Sequence, residues 1–230
     1  MRSVPSSDEL FEIYKELDAM HSWRGWHWWP DAEPFEVIAG AILVQNTSWT
    51  NVEGALANLR GANALEPAAM DALTDDALEA LVRPSGQYRQ KTRKLRAFLG
   101  LVASHGSLDA LLELHPACLR TALLGTWGIG PETADAIIVY AQRKPAFVID
   151  AYTIRVFGRL GLGPASVSYD EWQRFFVDRL PEDRDLWARY HALIVLHAKH
   201  FCRKTRPHCG DCTLRARCTW RASATASAMN

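Results

Sequence analysis

The sequence predicts an all-α protein. Three observations carry this: apolar residues recur at helical spacing through most of the 230 residues, no stretch sustains strand-like alternation with β-branched enrichment, and capping residues and glycines punctuate the segments. In chain order the helical spacing covers Asp8–Met20, Phe35–Val44, Asn51–Leu59, Asp75–Val82, Gln90–Val102, Pro116–Leu123, Glu132–Tyr140, Tyr152–Leu160, Tyr169–Leu180 and Leu186–His197. Ser7, Thr74 and Ser107 stand where N-caps belong, because a short side-chain oxygen there can accept from an orphan amide of the first turn. Gly106, Gly125, Gly161 and Gly163 stand where helices should stop. The tail, residues 222–230, is small and polar and is expected to fray.

Hydrophobic residues make up 48% of the chain and charged residues 23%, values of a globular protein able to bury a sizeable core. No apolar run approaches the roughly 18 to 20 residues that a membrane span needs, so no membrane anchor is expected. The polar stretch Met1–Glu9 lacks the apolar core of a secretory signal, which makes the cytoplasm or nucleoid the expected location. Thiols stay reduced there, and disulfides are not expected. The net charge is zero, so any contact with nucleic acid must come from local patches. One is Arg89, Lys91, Arg93, Lys94 and Arg96, a run without an acid; another is Lys199, Arg203, Lys204, Arg206, Arg215, Arg217 and Arg221, offset only by Asp211. Either alone is an ordinary solvated face. The tryptophan-rich segment Trp23–Pro30 reads either as core packing or as an aromatic wall for an extruded base.

Four of the five cysteines, Cys202, Cys209, Cys212 and Cys218, follow the spacing C-x6-C-x2-C-x5-C. Four thiolates in one short loop can surround a tetrahedral metal ion or an iron-sulfur cube. Structural zinc usually uses two short C-x2-4-C hooks; here only Cys209 and Cys212 form one, though His200 and His208 could substitute as ligands. The fifth, Cys118, reads as a small buried hydrophobe.

Between two helices, Trp127-Gly128-Ile129-Gly130 places two glycines around one apolar residue, and Pro131 suits the first position of the next helix. Such a turn is either a plain helix connection or a seat for an anion, with a DNA phosphate as the natural guest. Further on, the apolar run Ala146–Ile149 ends in Asp150 at a helix start, an N-cap by position. It follows the glycine turn by one helix length, so a returning chain could bring this carboxylate to the same bound backbone.

The glycine turn, Asp150 and the cysteine loop, in this order and separation, resemble the helix-hairpin-helix DNA glycosylases, in particular their endonuclease III branch, from Pro34 to Cys218. The resemblance implies an endonuclease III-like fold: a six-helix barrel domain at 34–148 with its hairpin at 124–137, and an iron-sulfur cluster domain from 1–33 plus 149–221. It implies one 4Fe-4S cluster on Cys202, Cys209, Cys212 and Cys218. It also implies Asp150 as the catalytic aspartate, double-stranded DNA with a damaged base as partner, and a monomer. DNA would be held between the domains, with phosphate contacts from Trp127, Gly128, Ile129, Gly130, Arg203, Lys204 and Arg206. Gln45 is similar to the family glutamine that enters the gap left by a flipped base, and Gln87 takes the place of the wedge residue, often leucine.

One position departs from the pattern. Two residues after the second hairpin glycine, bifunctional members carry a lysine that forms a Schiff base with the sugar; here the residue is Glu132, and no lysine lies between Leu119 and Arg143. A carboxylate forms no imine, and an acid in a first helical turn gains roughly 0.3 to 1 kcal/mol from the helix dipole. The hairpin and the residues after it resemble the monofunctional 3-methyladenine glycosylases at least as well. The expected activity is therefore hydrolysis of an N-glycosidic bond without strand cleavage. A lyase using another amine, such as Lys144 or the N-terminus, and a damage-binding homologue without catalysis are the alternatives.

Overall fold

The computed structural model describes residues 5–21 and 32–220, and these contain helices and no strand. Trp23–Pro30, Arg221 and the tail lie outside the described residues. No described helix is long and apolar enough to cross a membrane. The chain divides into two compact units, one running to Lys144 and the other joining the start of the chain to everything from Pro145 onward.

The second of these contains α1 (Ser7–His21), α10 (Ala151–Leu160), α11 (Tyr169–Val177) and α12 (Arg184–His200). Its core is aromatic: Phe147 stacks on Phe176 with centroids 4.2 Å apart, and Phe157 meets Phe176 edge-on at 4.8 Å. Tyr190 is fully buried, and its hydroxyl donates to Leu10 O at 2.8 Å, tying α12 to α1 across the length of the sequence. Residues 145–148, read from the sequence as the end of the barrel, belong here because Phe147 is one of the core rings. The cap of α1 also shifts by one residue: Ser6 Oγ, not that of Ser7, accepts from Glu9 N at 3.1 Å.

The other unit contains α2 (Pro34–Leu43), α3 (Trp49–Gly61), α4 (Pro67–Asp71), α5 (Asp75–Val82), α6 (Tyr88–Ser104), α7 (Leu108–Leu112), α8 (Pro116–Leu124) and α9 (Pro131–Ala136). Every residue of α2 except Pro34 and Glu36 is buried, so this helix runs through the core, with α3, α6 and the end of α9 around it. Thr74 and Ser107 cap α5 and α7, accepting from Ala77 N and Ala110 N. The spacing over Glu132–Tyr140 predicts one α-helix. The structure instead widens into a π turn at Ile137–Ala141, closed by Gln142 N to Ile137 O at 2.9 Å. Gln142 Nε2 fixes that end by donating to Leu112 O and Leu114 O. Cys118 is exposed rather than buried, because α8 turns Leu119 and Leu123 inward and leaves position 118 on its outer face.

Candidate functional site

The buried run Ala146–Ile149 delivers Asp150 to the start of α10, where extended backbone makes it the N-cap. Its Oδ1 accepts from Thr153 N at 2.7 Å and from Thr153 Oγ1 at 2.8 Å, and its Oδ2 lies 3.5 Å from His191 Nε2. The Asp150 side chain is 10% exposed. Burial by itself would raise its pKa; the hydrogen bond and charge of His191, with the two Thr153 donors, outweigh burial and hold it below the ordinary carboxylate value. The result is an oriented anion at the edge of a dry core, able to stabilise a cation that forms next to it. His191 gives no signal in the sequence, since it stands among core residues of α12 and its partner is 41 positions away.

In the other unit, the hairpin Trp127–Gly130 links α8 to α9. Gly128 has φ +83, and a Cβ there would come within 2.5 Å of the Lys94 side chain, so only glycine fits. Ile129 is buried, and its amide closes the turn on Thr126 O at 3.1 Å. The amides of Gly128 and Gly130 donate to nothing among the described residues. Helices α8 and α9 are clasped by Arg120, whose guanidinium donates to both oxygens of buried Asp135 at 2.8 and 3.1 Å. Trp127 is 49% exposed beneath the Arg93 guanidinium. Glu132 is exposed in the first turn of α9.

Gln45 belongs to this hairpin. Its Nε2 donates to Gly128 O at 3.2 Å and to Thr133 Oγ1 at 3.1 Å, while its Oε1 accepts from Lys94 Nζ. Lys94, not singled out from the run of cations in the sequence, thus packs its stem on Gly128 and its ammonium on Gln45. Gln87 stands exposed before α6 in a left-handed conformation, φ +45, on a turn fixed from below. There buried Lys91 donates to Ser85 O, and Ser85 Oγ donates to Val82 O at 2.6 Å. Burial, with a smaller push from Lys94, brings the Lys91 ammonium down to about 8.

The four cysteines of the terminal loop line one cavity with Arg159, Phe201, Pro207, Arg215 and Trp220. None forms a disulfide. No three Cys, His, Asp or Glu side chains among the described residues converge closely enough to hold a single ion. Four thiols lining one cavity are a donor set able to hold a metal ion or an iron-sulfur group. Arg159 closes the loop, donating to Cys202 Sγ at 3.3 Å, Arg203 O at 2.7 Å and Lys204 O at 3.0 Å. Arg203, Lys204 and Arg206 are exposed on it.

The HhH-GPD profile, describing superfamily base excision DNA repair proteins, matches residues 39–182, which include the hairpin and Asp150. This chain belongs to the HhH-GPD superfamily. A Methanocaldococcus jannaschii protein whose name reads "putative DNA repair glycosylase" is 40% identical over 212 residues, 91% of this chain and 95% of that one. The structure of the H. pylori 3-methyladenine DNA glycosylase MagIII, bound to 1,N6-ethenoadenine, superposes with a TM-score of 0.73 at 31% identity, over 85% of this chain and 98% of that one. Endonuclease III trapped on DNA gives a TM-score of 0.81 at 21% identity, over 96% and 99%, and shows the same fold. The chain described here is thus a member of the HhH-GPD superfamily of base excision DNA repair proteins, with the fold of endonuclease III.

Proposed function

We propose that the enzyme is a monofunctional glycosylase, hydrolysing the bond between a damaged base and its deoxyribose and leaving the strand intact. The observation that carries this reading is the pair of carboxylates at the two family positions: Asp150 buried and held ionised, Glu132 exposed where a lyase needs an amine. In the reaction the C1′–N bond breaks with its electrons leaving on the base. Asp150 stabilises the oxocarbenium character that develops at C1′, and water supplies the new C1′–O bond, its proton passing to the departing base or, where an alkylated cationic base leaves neutral, to solvent. Flipping the nucleotide out costs a few kcal/mol, least for a damaged base, which contributes to selectivity. The amides of Gly128 and Gly130 would take a backbone phosphate, and the exposed Arg203, Lys204 and Arg206 would add phosphate contacts.

Cys202, Cys209, Cys212 and Cys218 would hold one 4Fe-4S cluster. When bound, it would fix the shape of the basic loop and take no part in base removal.

Alkylated purines are the first substrates to test, given the 31% identity to MagIII over 85% of the chain. The experiment is a panel of duplexes carrying 3-methyladenine, 1,N6-ethenoadenine, thymine glycol, uracil or an abasic site, scored separately for base release and strand cleavage. Base release without cleavage is the expected result. Borohydride trapping of a covalent complex on abasic DNA would overturn it, and loss of that complex in Lys94→Ala would name the amine nearest the hairpin as nucleophile. Retained binding with no base released from any duplex would favour the damage-binding alternative.

A further inference from the structure

Arg93 stands apart from the other cations of α6. Arg96 is paired with Asp71 and Asp75 at 3.3 and 2.9 Å, Arg89 faces Glu79 at 3.7 Å, Lys91 donates to Ser85 O and Lys94 to Gln45. Among the described residues the Arg93 guanidinium meets no acid and no hydrogen-bond acceptor. Its partner is the face of Trp127, with the guanidinium carbon 4.6 Å from the ring centroid. A guanidinium over an indole loses rotational freedom but keeps all five N–H donors available. Trp127, 49% exposed, precedes Gly128 directly, so the stacked pair adjoins two hairpin amides that donate to nothing. No acid lies anywhere in α6 to compete for the charge.

These observations describe a cation oriented in advance for a planar or tetrahedral oxyanion. We propose that Arg93 binds a phosphodiester of the DNA backbone beside the hairpin, with Trp127 as the residue that positions it. The inference rests on the DNA-repair reading above and adds a phosphate ligand to it. Arg93 covers one face of Trp127, so that face serves the arginine and not a stacked base. Lysine cannot replace the arginine fully: its ammonium is a point charge without the flat fork that both stacks and donates to two oxygens.

The test measures binding of an undamaged duplex by fluorescence anisotropy across a salt series, so it is independent of base excision. Arg93→Ala should weaken binding roughly tenfold, the scale of a hydrogen bond to a charged group. It should also reduce the steepness of the log K against log salt line by about 0.9, one phosphate's worth of released counterions. Arg93→Lys should keep the slope and lose part of the affinity. Trp127→Leu should likewise keep the slope and lose affinity, because the charge remains and its orientation does not. Arg60→Ala, which removes an arginine of α3 paired with Glu36 at 2.6 Å, is the control and should leave slope and affinity unchanged. Melting curves confirm that each variant folds. Unchanged binding and slope in folded Arg93→Ala would overturn the proposal while leaving the glycosylase reading intact. Absence of salt-dependent binding by the wild type would overturn both.

Discussion

Asp150 shows how little sequence is needed to hold a charge in place. The Asp-Ala-Tyr-Thr spacing makes it an N-cap whose Oδ1 receives two Thr153 donors, and these, with His191, keep a buried carboxyl ionised. Asp150→Asn keeps the shape and removes the charge; single-turnover excision should fall roughly 100-fold or more, and near-normal turnover would remove Asp150 from the mechanism. Its folded pKa is depressed, so its stabilisation is present at neutral pH and is lost only as pH falls below about 4. Lys91 behaves in the opposite sense. Its folded pKa of about 8 lies below the reference near 10.4, so burying its charge is a cost below pH 8 that disappears as pH rises toward 10.4. Wild-type melting should therefore gain a stabilising contribution between pH 8 and 10.4 that is absent in Lys91→Met; equal pH profiles would refute this. Asp150 and the cysteines were legible because their patterns are local. His191 and Lys94 were not, because each matters only through a partner far along the chain.

At the scale of elements, the hairpin is a turn held from three sides: Ile129 inward, the Arg120–Asp135 clasp across its helices, and the Gln45–Lys94 pair against Gly128. Gly128→Ala introduces a Cβ into left-handed backbone and into the Lys94 stem. It should cost about 1 to 2 kcal/mol in denaturant unfolding and weaken DNA binding, since Lys94 must leave Gln45 to make room. Asp135→Ala should cost about 3 kcal/mol, the low end for a broken buried pair because Arg120 keeps contact with solvent. An unchanged unfolding midpoint would show that the clasp is redundant. Helix periodicity located the long elements, Asp75–Val82 to the residue, because their apolar faces repeat over two or more turns. It missed the five-residue helices Pro67–Asp71 and Leu108–Leu112, too short to show a period, and the π turn, which is fixed by Gln142 reaching two carbonyls near α7.

At the scale of the molecule, each unit has its own apolar core, and the chain crosses from one to the other at Lys144–Pro145. The cluster reading belongs here, since a metal group that closes the cysteine loop adds its binding energy to folding. Purified protein should be brown with four irons per chain; Cys212→Ser should lose iron and colour and lower the melting temperature. A colourless wild type containing zinc would replace the cluster with a single ion. By itself the sequence determined the helical class, the glycine hairpin, the capping aspartate and the four-cysteine loop, because each is written within a few residues by backbone geometry or ligand spacing. Only the tertiary structure decided that Gln45 and Lys94 brace Gly128, that His191 faces Asp150, and that Tyr190 ties the end of the chain to Leu10. Those contacts join residues 34 to 180 positions apart, and packing rather than local preference sets which of many such pairs meet.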